Sequence, residues 1–125
     1  MLSKRLAVFF IYSNLIFLSC IQSNNEVEIK VFNKTDKNID SLYITNWIND
    51  KKIKKISKND SVRINLGFKN NTIKSDGNYS LSYYINKEKY ISDFGYYSNG
   101  IPTNSKYIIK IYNDTLTIKE QTLNQ

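Results

Sequence analysis

Apolar residues recur at every second position along much of the chain after residue 26. The segments 27–31, 62–68 and 79–85 alternate apolar side chains with mostly polar ones. This period of two is typical of a β-strand that has one face on a core and the other in solvent. Less regular segments rich in tyrosine and isoleucine predict further strands at 39–47, 89–94, 106–112 and 115–120.

Turn-forming residues separate these segments at intervals of about 8 to 12 residues, as in all-β sandwiches and barrels. The turn segments read NKTDKN (33–38), KSDGN (74–78), NKEK (86–89) and YNDT (112–115). The pattern therefore predicts an all-β fold, a single antiparallel β-sandwich of about seven strands. Immunoglobulin-like and transthyretin-like topologies both fit, and the pattern does not choose between them.

The first nineteen residues follow a different pattern. Lys4 and Arg5 form a short positive region, and residues 6–18 form a mainly apolar run that Ser19 and Cys20 close. This is the layout of a cleaved signal peptide. A permanent membrane-spanning helix is the alternative, but it needs roughly 20 predominantly apolar residues, and this run is shorter and polar in its middle.

Leu18, Ser19 and Cys20 resemble the lipobox of bacterial lipoproteins, with Phe17 in place of the usual aliphatic residue. Cys20 is the only cysteine of the chain. The resemblance implies that Cys20 is acylated, for example with palmitate, and becomes the first residue of the mature protein. It also implies a membrane-anchored protein of the cell envelope. In some bacterial lipoproteins an aspartate after the cysteine retains the protein in the inner membrane; Ile21 stands at that position here, so the resemblance also implies the outer membrane. The alternative is a secreted protein in which Cys20 is a free thiol.

The predicted organisation is a signal peptide at 1–19, a lipidated cysteine with a short tether at 20–26 and a β-sandwich domain at 27–125. About 106 of the 125 residues remain after cleavage, which is enough for one hydrophobic core. The formal charge falls from +7 to +5, because the removed segment carries Lys4 and Arg5 and no acid. The mature protein is therefore mildly basic.

The residue types present restrict the chemistry that this domain supports. The chain has no histidine, and its single cysteine is the predicted anchor. Cys/His metal sites and Ser-His-Asp or Cys-His arrangements are therefore excluded, and neither cofactor nor enzymatic activity is predicted. The carboxylates of Asp76, Glu88, Asp93 and Asp114 leave a carboxylate-dependent enzyme as an alternative.

A lysine cluster reads KKIKKISK and spans residues 51–58; its lysines are Lys51, Lys52, Lys54, Lys55 and Lys58. One interpretation is a basic patch that contacts an anionic surface or an acidic partner. The other is an exposed edge strand whose lysines prevent edge-to-edge pairing while Ile53 and Ile56 point into the core. Nucleic acid is not a predicted partner, since arginine is nearly absent.

The segment DFGYYSNGIPTNS, residues 93–105, predicts a connection with a candidate binding loop at Tyr96, Tyr97 and Asn99. Gly95 and Gly100 permit positive φ, so the loop between them can present both tyrosines outward. Adjacent tyrosines with Ser and Asn nearby suit a contact surface. The alternative is that at least one tyrosine caps the core with its hydroxyl hydrogen-bonded.

Residues 76–100 also resemble segments of small, uncharacterised lipoproteins of the Bacteroidota. That resemblance brings no known activity with it. The sequence therefore predicts an envelope lipoprotein that acts as a binding or structural module, with an envelope protein or an anionic surface as its partner. An immunity or inhibitor lipoprotein that neutralises a periplasmic toxin or hydrolase is the alternative. The oligomeric state stays open.

Overall fold

The computed structural model describes residues 25–68 and 74–122, and nine β-strands account for most of these residues. In chain order they are β1 (Glu26–Asn33), β2 (Ser41–Thr45), β3 (Asp50–Ile53), β4 (Ser61–Gly67), β5 (Gly77–Ile85), β6 (Glu88–Ser98), β7 (Ile101–Pro102), β8 (Asn104–Ile111) and β9 (Leu116–Thr122). The two described ranges contain no helix, as the period-two pattern predicts.

The strands form two sheets, with the orders β4-β1-β8-β9 and β3-β2-β5-β6-β7. Neighbouring strands are antiparallel except for β1 and β8, which run parallel. In β1 every second side chain is buried, beginning with Val27. Because the buried side chains of both sheets belong to one core, the predicted all-β sandwich is confirmed.

The seven predicted strands all occur, and the described residues add β3 and β7 to them. The predicted strand 39–47 is too long at both ends. Ile39 forms only an isolated bridge with Ile56. After Thr45 the side chain of Asn46 bonds to the backbone and turns the chain, because its carbonyl oxygen accepts the N–H groups of Ile48 and Asn49.

The core is aliphatic along the sandwich and aromatic at one end. Its side chains are Val27, Ile29, Val31, Ile39, Leu42, Ile44, Ile56, Ile64, Leu66, Phe68, Tyr79, Leu81, Tyr83, Phe94, Tyr97, Tyr107, Ile109 and Ile111. The aromatic cluster consists of Phe68, Tyr79, Phe94, Tyr97 and Tyr107, whose ring centres are 5.1–6.2 Å apart in the contacting pairs. The core side chains of the described residues all lie between 27 and 111, so the chain without residues 1–19 keeps all of them.

A β-bulge in β6 sets which of its side chains face the core. Tyr79 pairs with Phe94 and Gly77 pairs with Tyr97, so β6 contains one residue more than β5 over this interval. Gly95 lies in the bulge with a φ of 65°. Simple alternation after Phe94 would put Tyr97 outside, but the extra residue turns it inward.

Strand β1 begins at Glu26, next to the first residue of the predicted β-sandwich domain. Just before it, the carbonyl of Asn25 accepts a hydrogen bond from the N–H of Phe68 at 2.9 Å. The predicted signal peptide and Cys20 lie outside the described residues. In the part of the chain that the structure describes, no helix has the length and apolar character to cross a membrane.

Candidate functional site

The candidate binding loop at Tyr96, Tyr97 and Asn99 is not a loop over most of its length. Strand β6 continues through both tyrosines to Ser98. Tyr97 is 2% exposed, and its hydroxyl donates to the carbonyl of Asn46 at 2.7 Å. Burial raises the pKa of Tyr97. The prediction that both tyrosines point outward is therefore wrong for Tyr97, which caps the core as the alternative interpretation states.

Tyr96 does point outward and is 48% exposed. A hydrogen bond to the carboxylate of Asp76 raises the pKa of Tyr96. Asn99, with a φ of 56°, forms the turn with Gly100, and its N–H donates to Asp76 at 2.9 Å. That backbone hydrogen bond is the largest cause of the lowered pKa of Asp76. Asp76 thus stabilises the turn, and Asn99 forms part of it through its positive φ and its backbone N–H.

The lysine cluster begins in β3, which lies at the edge of the five-stranded sheet. Ile56 is buried and Ile53 is half-buried against the core. The lysines are exposed: Lys51, Lys52, Lys54, Lys55 and Lys58. The edge-strand interpretation is therefore confirmed for the strand and for both isoleucines. Binding by these lysines stays a prediction.

One sheet face collects most of the large apolar side chains that are exposed. We call the outer face of the five-stranded sheet the aromatic face; it carries Tyr43, Trp47, Tyr84, Ile91, Tyr96 and Ile101. These are six of the eight large hydrophobic side chains that are exposed in the described residues. Asn78, Ser80 and Ser82 of β5 lie between them. Tyr, Trp, Ser and Asn are the residues that adaptable contact surfaces use.

A shallow groove of about 330 Å³ crosses the aromatic face. Its lining includes the rings of Tyr43 and Tyr84, the hydroxyl of Ser82 and the stems of Lys52 and Lys89. Lys52 and Lys89 share the face with Asp50 and Asp93, so its charges balance. The hydroxyl of Tyr43 donates to Asp50 at 2.9 Å, and this bond raises the pKa of Tyr43. The groove thus offers rings and neutral hydroxyls flanked by two ammonium groups.

Trp47 is the most exposed aromatic side chain of this face, at 68%. It lies in the turn of residues 46–49 with a φ of 69°. Only a few per cent of non-glycine residues have positive φ, and for a residue this bulky it is an outlier. The indole N–H is 3.4 Å from the side-chain oxygen of Asn78, its acceptor on β5. Trp47 is therefore held at the end of the aromatic face.

Several hydrogen bonds fix the conformation of residues 46–49, which we call the Trp47 turn. The side-chain amide groups of Asn46 and Asn49 both donate to the backbone carbonyl of Gly67, at 3.0 and 2.8 Å. The N–H of Trp47 donates to the hydroxyl of Thr45 at 2.8 Å. Such a network compensates for local backbone strain of order 1–3 kcal/mol, and strain of this kind clusters at functional sites.

Trp47 was not among the predicted site residues, because the sequence pattern placed it at the end of the predicted strand 39–47. The available signal was local. Asn46 and Asn49 flank the only tryptophan of the chain, and asparagine is a turn former that tolerates the left-handed conformation. A turn predicted at this point would have indicated that the Trp47 side chain does not belong to either face of a strand.

The four carboxylates considered for catalysis have separate neighbours. Asp76 contacts Tyr96 and Asn99, whereas Glu88 accepts a hydrogen bond from Tyr90 at 2.9 Å. Asp93 lies on the aromatic face. Asp114 lines a second groove of about 290 Å³, beside Tyr83, Tyr90 and Tyr112. Among residues 25–68 and 74–122, no three Asp, Glu, His or Cys side chains are grouped to hold a metal ion.

Comparison with known proteins supports the fold and goes no further. No family model and no curated protein sequence matches the chain. An NMR structure of a protein from Eubacterium rectale has a TM-score of 0.51 at 13% identity, over 80% of this chain and 92% of that one. A crystal structure from Bacteroides ovatus, described as a candidate cell adhesion protein, has a TM-score of 0.47 at 13% identity. That match covers 80% of this chain and 46% of the other.

Proposed function

We propose that this protein is a binding module of the cell envelope, held at its membrane by a lipid on Cys20, and that the aromatic face contacts an envelope protein. The observation that carries the proposal is the concentration of exposed Tyr, Trp and Ile side chains on one sheet face. Tryptophan and tyrosine are enriched among the residues that dominate binding energy at protein interfaces.

Two properties of the aromatic face support a protein partner. Its rings sit on paired strands and on a hydrogen-bonded turn, so little side-chain and loop entropy is lost on binding. Its balanced charges give it no strong preference for an anionic or a cationic surface. A neutral, rigid face of tyrosine, serine and asparagine matches the composition of protein-binding surfaces.

The anchor part of the proposal is supported by the lipobox-like residues before Cys20 and by the short tether. Residues 20–26 span at most about 20 Å when extended. Each buried methylene of an acyl chain contributes about 0.8 kcal/mol to membrane attachment, so several chains on one cysteine hold a protein stably. The domain would then stay close to its membrane, within reach of other envelope proteins.

Replacement of Cys20 by alanine is expected to abolish fatty-acid incorporation and to leave unprocessed precursor. Cys20 is the only thiol, so no other cysteine can accept the lipid. Metabolic labelling with a fatty-acid probe, followed by electrophoresis, measures both effects. Ser19→Ala is the matched control, because it keeps a small residue before the cysteine and should retain the label. Label retained in Cys20→Ala would contradict lipidation at this position.

For the aromatic face, we expect the double substitution Trp47→Asn and Tyr84→Ala to weaken partner capture by about 30-fold or more. An interface aromatic that dominates binding contributes about 2 kcal/mol or more, roughly 30-fold in affinity, so one such residue of the two accounts for the expected loss. Asparagine is chosen at position 47 because it tolerates the φ of 69°. A photoreactive amino acid in place of Ile91, which is 64% exposed on this face, crosslinks the partner in detergent-solubilised envelope.

Tyr112→Ala is the matched control for Tyr84→Ala. Both tyrosines are 37% exposed, but Tyr112 lies beside the second groove and not on the aromatic face. The control should keep full capture, and both variants should keep the parent's unfolding midpoint. Equal loss of capture in the double variant and in the control would contradict recognition through the aromatic face. So would an unchanged crosslink at residue 91 in the double variant.

A further inference from the structure

The opposite side of the sandwich has a different chemical character. We call the outer face of the four-stranded sheet the basic face; it carries Lys30, Arg63, Lys106, Lys110 and Lys119, with Lys34 beside the end of β1. Phe32 and Ile108 lie half-buried among these cations. The aromatic face, in contrast, has balanced charges. The two sheets thus present chemically distinct surfaces on opposite sides of the core.

Three lysines of the basic face surround one ring. The ammonium nitrogens of Lys30, Lys34 and Lys110 are 4.8, 5.7 and 6.0 Å from the centre of the Phe32 ring. Attraction between each cation and the ring offsets part of the repulsion among the three charges. An anionic group above the ring would neutralise the remainder. The cluster is therefore suited to a negatively charged surface.

Acidic side chains compensate only one end of the basic face. Glu28 pairs with Arg63 at 2.8 Å and approaches Lys106 at 3.5 Å. Glu26 lies at the same end, as the first residue of β1. Lys30, Lys110 and Lys119 form no salt bridge within the described residues. Asp36 and Asp60 lie in the segments that join the strands, not on the face.

We propose that the basic face lies against the anionic headgroups of the membrane that holds the lipid of Cys20, so that the aromatic face points away from the bilayer. The inference rests on the anchored state proposed above. Strand β1 begins at Glu26 and forms part of this face, and the tether of residues 20–26 reaches about 20 Å at most. The face thus lies within reach of the bilayer surface to which the chain is attached.

A bilayer fits this surface better than a soluble polyanion does. Lysines near an anionic membrane each strengthen binding by about fivefold, and a stable anchor commonly combines a lipid with a basic patch. Phe32 and Ile108 add apolar area at the centre of the face, which suits the boundary between headgroups and acyl chains. The folded sheet holds these cations on one face, so several of them can contact a bilayer at the same time.

Vesicle binding by the chain from residue 20 onward, with Cys20→Ser, tests the proposal without the lipid. The probe is a vesicle of phosphatidylglycerol and phosphatidylcholine, compared with phosphatidylcholine alone. We expect binding only to the anionic vesicle, and about tenfold weaker binding when salt rises from about 0.1 to about 0.5 M. Lys30→Gln, Lys34→Gln, Lys110→Gln and Lys119→Gln in combination should reduce affinity by about 100-fold or more.

The lysine cluster supplies a control with the same change of net charge. Lys51→Gln, Lys52→Gln, Lys54→Gln and Lys55→Gln also remove four positive charges, but they lie at the β3 edge and the segment after it. This variant should lose less than about fivefold in affinity. The fluorescence of Trp47, the only tryptophan of the chain, reports how the domain is oriented on the vesicle. Its emission should stay unchanged on binding, because Trp47 lies on the aromatic face, opposite the basic face.

Three results would overturn the membrane orientation. The first is an equal loss of vesicle affinity in the two lysine variants. The second is a blue shift of Trp47 emission when the protein binds the vesicle. The third is tighter binding to soluble polyphosphate than to the anionic vesicle. Neither the partner nor the lipid takes part in this experiment. Its failure would therefore leave the Cys20 labelling and the capture through the aromatic face untouched, and failure of those tests would leave the vesicle result standing.

Discussion

Replacement of Tyr97 by alanine is expected to lower the free energy of unfolding by about 3 to 5 kcal/mol, the range for removing a large buried aromatic ring. The ring lies 5.1 Å from that of Phe68 and 5.8 Å from that of Tyr79. Its loss opens a cavity in the aromatic cluster and removes the donor that the Asn46 carbonyl uses. Domains of this size have about 5 to 15 kcal/mol of stability, so urea unfolding should shift strongly to lower concentration.

Tyr96→Ala is the matched control, because it removes the same side chain from the neighbouring position on the solvent side. It should lower the free energy of unfolding by about 1 kcal/mol or less, as expected for the loss of an exposed hydrogen bond. Tyr97→Phe keeps the ring and leaves the carbonyl of Asn46 without its donor, so a loss of about 1 to 3 kcal/mol is expected. Equal losses for Tyr96→Ala and Tyr97→Ala would contradict the placement of the two rings.

Replacement of Gly95 by alanine is expected to lower the free energy of unfolding by about 2 to 5 kcal/mol. At a φ of 65°, a residue with a β-carbon carries a backbone penalty of about 1 to 2 kcal/mol. The added carbon would lie 2.5 Å from the hydroxyl of Tyr107 and 2.8 Å from the ring of Tyr79. Overpacking of this kind adds about 1 to 3 kcal/mol, because the aromatic cluster must move. Urea unfolding measures the total.

Gly100→Ala serves as the comparison for the backbone part of this effect, since Gly100 has a φ of 70°. It should lower the free energy of unfolding by about 1 to 2 kcal/mol, the backbone penalty alone. Gly95→Ala should also change the environment of Tyr107, which near-ultraviolet circular dichroism detects. A smaller loss at Gly95 than at Gly100 would show that the bulge does not pack against the aromatic cluster as described.

Strand β6 shows where local pattern stops being informative. The tyrosine- and isoleucine-rich composition predicted a strand at 89–94, and the glycines and the proline that follow predicted a connection over 93–105. The chain instead bulges at Gly95 and continues as strand to Ser98. The inward direction of Tyr97 follows from the contacts that its ring makes with Phe68 and Tyr79, which are distant along the chain. Local sequence does not contain those contacts.

The candidate surfaces divide in the same way. The lysine cluster is contiguous in the sequence, so its charge and its edge-strand character were predictable from residues 51–58 alone. The basic face is assembled from β1, β4, β8 and β9, each of which contributes one or two isolated cations. No window of the sequence contains enough of these cations to indicate a patch. The exposure of Trp47 was not predictable for a related reason. It depends on a turn that is stabilised by hydrogen bonds to the carbonyl of Gly67, a residue distant along the chain.

The sequence by itself determined the all-β class, the approximate position of seven strands and, in the three alternating strands, most of the inward-facing side chains, because the period of two, strand-forming composition and turn residues are local properties. Only the tertiary structure decided the strand order, the parallel pairing of β1 with β8 and the direction of Tyr97. It also decided that aromatic residues collect on one side and lysines on the other. These features depend on contacts between segments far apart in the chain, and such contacts exist only once the two sheets have packed.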